Sequence, residues 1–150
     1  MEQPQISFPA LSSEGGGRGK STVTQWNRDL ILYRLDRANQ AMEEAQMLAD
    51  AGRWNTCVNR LYYACFYAIS ALLAKDGLAS SKHAGVRSLF NRHYVKTGKV
   101  PSELARIYNH LFERRQEGDY IDFVHFEEAD VTPWISDAKQ FVEHLTALGQ

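Results

Sequence analysis

The sequence predicts an all-α protein, a five-helix up-down bundle, on three observations. Beyond Thr22, apolar residues recur at three- and four-residue steps through nearly the whole chain. Outside the N-terminal stretch, no segment alternates apolar and polar residues with the period of two that a half-buried strand needs. Gly52, Asp76-Gly77, Thr97-Gly98 and Gly118 break the helical pattern at the places where helices commonly stop. At 150 residues and 44% hydrophobic content, the chain fits one domain with a sizeable core.

Residues 1–21 form a separate unit by composition. Two prolines, few large apolar residues and the glycines at 15, 16, 17 and 19 predict a flexible Gly/Ser/Pro arm, with the helical domain over 22–150. The first helix is expected from about Thr24 to Ala51, with Ile31, Ala38, Ala41, Ala45 and Leu48 on one stripe. Small residues there allow a second helix to approach closely. The second helix, about Arg53 to Lys75, carries two apolar stripes, so it must be central or covered by a second subunit. A third is expected from His83 to Lys96 and a fourth from Pro101 to a frayed end at Gly118, with Asp119 to Glu128 as loop. Val131 through Leu148 predict the last helix, with Thr132 as its cap because Pro133 belongs near a helix start.

Composition narrows the function classes. With 17 Lys+Arg against 18 Asp+Glu, the net charge is -1, which argues against polybasic nucleic-acid binding by bulk charge and leaves room for a local basic patch. No apolar run is expected to reach a membrane-spanning length, and the N-terminus lacks a basic-then-apolar leader pattern, so the expected location is cytoplasmic. Cys57 and Cys65 stand eight residues apart on one helix, a rise of about 12 Å, too far for a disulfide. No two histidines fall three or four apart, so neither a metal site nor a cofactor is expected.

Three clusters carry possible chemistry. Gly15 to Ser21 resembles a phosphate-cradling loop, but the position five before Gly19 is Glu14 rather than glycine, and Pro9 spoils the preceding strand. On the second helix, Arg60, Tyr63 and Tyr67 share a face; a guanidinium beside two aromatic hydroxyls can hold a phosphate or stack on a base. The competing reading makes the tyrosines core residues and pairs Arg60 with a carboxylate from another helix. At the end of the fourth helix stand Arg114, Arg115, Glu117, Asp119 and Tyr120, and Lys82-His83 opens the third.

Taken in order, Arg60-Leu61-Tyr62-Tyr63-Ala64-Cys65-Phe66-Tyr67-Ala68, Lys82-His83-Ala84-Gly85-Val86 and Arg115-Gln116-Glu117-Gly118-Asp119-Tyr120 resemble the HEPN superfamily. Within it the likeness is to small stand-alone members with an arginine, three residues, then Asp-Tyr. The resemblance spans about Asp29 to Leu148 and implies a helical bundle that pairs as a homodimer. It also implies a nucleotidyltransferase partner, often in a toxin–antitoxin or defence pair.

Many relatives are metal-independent ribonucleases with an arginine followed four to six residues later by histidine. In that chemistry the histidine moves the 2′-hydroxyl proton while arginine stabilises the phosphorane-like charge. Here the fifth residue from Arg115 is Tyr120 and the fifth from Arg114 is Asp119, so the shuttle histidine is replaced. The expected function is binding of nucleotide or RNA phosphate near a dimer cleft. Arg115 and Arg60 would hold phosphate, Tyr63 would stack or donate, Asp119 would orient Arg115, and Lys82 and Tyr120 would complete the site. Two alternatives remain: a ribonuclease in which His83 works with Arg115, and a non-catalytic partner-docking scaffold.

Overall fold

The computed structural model describes residues 19–150, with side chains from Gln25 onward. The arm before residue 19 and most of its Gly-rich loop lie outside the described residues. Five helices follow: α1 Gly19–Asp50, α2 Trp54–Lys75, α3 His83–Phe90, α4 Ser102–Tyr120 and α5 Glu128–Gly149. No strand occurs among the described residues.

The bundle is organised around α2, which packs on α1, α3, α4 and α5. Every α2 residue from Cys57 to Ala74 except Arg60 is buried. On α1, the buried face is Ala38, Ala41, Ala45 and Ala49, side chains short enough to bring the α2 backbone close. By length and composition alone α2 is long and apolar enough to cross a membrane, contrary to the expectation that no run comes near that length. However, 94% of its apolar window is buried by the bundle, so its apolarity is used within the chain.

Four boundaries differ from expectation. Helix α1 begins at Gly19, within the stretch read as arm and before the expected start near Thr24. Helix α4 does not fray at Gly118 but continues to Tyr120. Gly118 acts as a packing residue: a Cβ there would stand 2.8 Å from the Phe126 ring, which folds back across the helix end. The last helix begins at Glu128, capped by Glu127 rather than Thr132. Glu127 and Asp130 form a reciprocal capping box, with the Glu127 backbone N–H donating to Asp130 Oδ2 at 3.0 Å. Thr132 lies inside the helix and donates to the Glu128 carbonyl at 2.9 Å. Finally, α3 changes geometry at Asn91, and Asn91–Val95 form a π turn closed by Lys96 N–H on the Asn91 carbonyl at 2.9 Å. Within that turn Tyr94 is buried, and its hydroxyl donates to the Leu72 carbonyl and the Asp76 carboxylate.

A single polar side chain ties the loop between α4 and α5 to the bundle. Asn55 on α2 donates to the Val124 carbonyl at 2.8 Å and the Gly118 carbonyl at 3.4 Å, and accepts from the Phe126 N–H at 2.9 Å. Asp119 and Tyr120, the last residues of α4 before this connection, are thereby fixed relative to α2.

Candidate functional site

The site is built where α2, α3 and the C-terminal end of α4 meet. Arg115 projects from α4 against α2, and its side chain is 1% exposed. Its guanidinium carbon lies 4.5 Å from the Tyr62 ring centre, 5.6 Å from Tyr63 and 5.9 Å from Tyr120. Arginine suits this setting because its planar, weakly hydrated cation stacks on aromatic faces. The facing carboxylate is Asp119, one helical turn on, at 4.0 Å and 8% exposed.

Asp119 also links the two halves of the site. Asn59 donates to its Oδ2 at 2.9 Å, and the Asn59 side-chain carbonyl accepts from Arg60 Nη2 at 2.9 Å and Nε at 3.1 Å. Arg60 lies 5.1 Å above the Tyr63 ring and pairs with Glu44 of α1 at 3.3 Å. Arg60 thus has the carboxylate partner on another helix that the competing reading expects, and it also stands beside Tyr63. Tyr67 leaves the group, since Arg37 donates to its hydroxyl at 2.8 Å and covers its ring.

His83 enters from the start of α3. Its ring stacks on Phe66 at 4.4 Å, and its Nδ1 is 2.7 Å from the Tyr62 hydroxyl, which is 3.2 Å from the Tyr108 hydroxyl. Burial, joined by the charge of Arg115, pushes the His83 pKa down to about 4. A neutral His83 shares one hydrogen bond with Tyr62 at Nδ1, and the tautomer of the ring sets which of the two donates. Burial pushes the Tyr62 hydroxyl up to about 12 against the opposing pull of its hydrogen bonds and Arg115. It likewise raises Tyr108, so both stay protonated donors at neutral pH.

Of the residues singled out from sequence, Arg115, Asp119, Tyr120, Tyr63 and Arg60 form one connected group, joined to His83 through Tyr62. Lys82 is not part of it: it is exposed at the N-cap of α3, with its backbone N–H donating to Ser80 Oγ. Sequence reasoning missed Asn59, Tyr62 and Tyr108, the three that connect the parts. One signal was available, because Tyr62 and Tyr63 stand three and four residues after Asn59 on α2, and Phe66 stands four and three after them.

This geometry meets an independent finding: the HEPN domain family model matches residues 31–148. The chain belongs to the HEPN family. A UPF0332 protein of Thermotoga maritima is 46% identical over 79% of this chain and 90% of its own length. A second UPF0332 protein, from Gloeobacter violaceus, is 34% identical over 73% of this chain and 87% of its own length. A protein of Methanocaldococcus jannaschii named “Putative toxin MJ0142” is 30% identical over 57% of this chain and 58% of its own length. In this HEPN chain the three family-like motifs supply the three sides of the site: α2, the start of α3 and the end of α4.

Proposed function

We propose that this protein is a HEPN component of a two-part toxin-like system, recognising nucleotide or RNA phosphate beside a nucleotidyltransferase partner and acting as a homodimer. The observation that carries the reading is the single network joining Arg115, Asp119, Asn59, Arg60, Tyr63 and His83 across three helices. The name of the Methanocaldococcus relative supports the toxin-like role.

The geometry divides the work between the two arginines. A guanidinium 1% exposed acts from beneath, so Arg115 holds the tyrosines and sets the local field. Direct phosphate contact falls to Arg60, whose side chain is 25% exposed and whose Glu44 partner is in open solvent, where an ion pair is weak and readily exchanged. Tyr120, 48% exposed at the end of α4, offers a ring for a base.

Thermal melting with ATP or a short oligoribonucleotide tests this reading, since a ligand that binds the folded state raises the midpoint. The expected result is a concentration-dependent rise that Arg60→Gln and Tyr120→Ala both reduce. A rise equal in all three proteins, or none in the wild type, would leave the scaffold reading standing.

A second reading, metal-independent RNA cleavage, is favoured by the placement of His83, whose Nδ1 is held by Tyr62. With Nδ1–H donating to the Tyr62 hydroxyl, the neutral imidazole carries its lone pair on Nε2 and can accept a proton at pH 7, while Arg115 supplies positive potential behind it. Cleavage of RNA in excess chelator that His83→Gln abolishes is the expected outcome. Cleavage unchanged by that substitution removes this reading.

A further inference from the structure

The outer face of α3 carries a second feature, independent of the site above. A surface groove of about 400 Å³ is lined by Ala84, Arg87, Ser88, Asn91, Arg92 and Lys96. Three of the six are cations and none is a carboxylate, in a chain whose overall charge is -1. The positive character is therefore local.

The backbone builds this face. Arg87 to Asn91 is an ordinary four-residue step, and Asn91 to Lys96 is the five-residue step of the π turn, closed by the Lys96 N–H on the Asn91 carbonyl. In a continuous α-helix the residue above Asn91 would be Val95, and the wider turn gives that place to Lys96. Arg87 is fixed by an aromatic contact, its guanidinium carbon 4.6 Å from the Phe112 ring centre. Ser88 and Asn91 add neutral hydrogen-bonding groups between the cations.

We propose that this groove is an anion site that seats a run of consecutive phosphates, as presented by an RNA strand. Arg87 to Lys96 covers about 13 Å of helix, more than a single phosphate group occupies. Arg87 is the pre-positioned anchor, and the exposed Arg92 and Lys96 close on the following phosphates. The site does not rest on the reading given above for Arg60 and Tyr120, and the two are separable by mutation.

The test is fluorescence anisotropy of a labelled single-stranded oligoribonucleotide with the 150-residue chain over a range of salt. Arg92→Gln/Lys96→Gln removes two exposed cations and leaves the bundle interior intact, as an unchanged melting temperature verifies. Expected is about a tenfold or greater loss of affinity at low salt and a log–log salt slope shallower by about 1.4, at about 0.7 for each lost contact. Arg53→Gln/Lys139→Gln makes the same charge change elsewhere and is expected to alter neither. Unlabelled ATP distinguishes the phosphate source: weak displacement identifies a strand, and displacement mole for mole with RNA identifies free oligophosphate at the same groove. No RNA binding by the wild type, or equal losses in the two double variants, overturns the proposal. A loss confined to Arg60→Gln would overturn it while sustaining the Arg60 site.

Discussion

Arg115 is held by aromatic rings and one carboxylate instead of by water, so its removal acts in two ways. Arg115→Ala empties the space against Tyr62 and Tyr63 and leaves Asp119 without its cation. The expected loss is on the order of 3 kcal/mol in urea unfolding, the scale of breaking a buried pair from one side. A loss below about 1 kcal/mol would show that the stack holds little. His83 offers a pH test. Its folded pKa of about 4 lies below the ordinary 6.5, so between those values the unfolded chain binds a proton that the folded chain refuses. Its stability contribution is thus complete above about pH 6.5 and is lost as pH falls towards 4. Comparing urea midpoints at pH 7 and 4.5, His83→Gln should lose less stability on acidification than the wild type. An equal loss would mean that His83 titrates normally. At this scale the sequence was partly legible. Charged and aromatic residues in family-like motifs were visible as candidates, and spacing puts Asn59 on their face of α2, but the partners of Asn59 and Tyr108 lie 60 and 46 positions away, which spacing cannot reveal.

Helix existence was readable because each buried stripe is long and regular. The ends were harder, because they depend on contacts made by residues remote in sequence. Gly118 has the composition of a stop, yet the ring of Phe126 needs its missing side chain, and α4 runs two residues further. That shift puts Asp119 in helical register one turn after Arg115 and allows their pairing. Asn55 holds the following loop through three backbone hydrogen bonds. Asn55→Ala strands the Val124 carbonyl and Phe126 N–H, and should destabilise the protein by about 1–3 kcal/mol. Amide exchange is the sharper readout: faster exchange confined to the segment around 124–126 is expected, and a uniform change across all helices would contradict a local anchor. The cap of α5 was misread for a related reason. Pro133 drew the helix start towards Thr132, while the reciprocal pair Glu127 and Asp130 lies one turn earlier.

For the molecule as a whole, the central question is whether one chain is sufficient. The apolar excess of α2, read from sequence as requiring either a central position or a second subunit, is satisfied inside a single bundle and so is no evidence for pairing. The apolar surface that remains lies elsewhere, including Ile121 and Phe123 just beyond the site, with Phe123 95% exposed at φ 67°. A bulky residue in the left-handed region is disfavoured by its backbone, and here it gains no burial within the chain. A second copy seated on this loop would supply that burial and bring two sites together, as the proposed homodimer requires. Phe123→Gly separates the two contributions because they have opposite signs. Glycine accepts the positive φ without a steric cost, so the isolated chain should keep or gain stability, by up to about 1 kcal/mol. The same change removes the ring from the contact, so sedimentation equilibrium should show weaker self-association than in the wild type. A variant that associates as tightly as the wild type would place the dimer contact away from this loop. A wild type that is monomeric at every concentration would remove the homodimer from the proposed function.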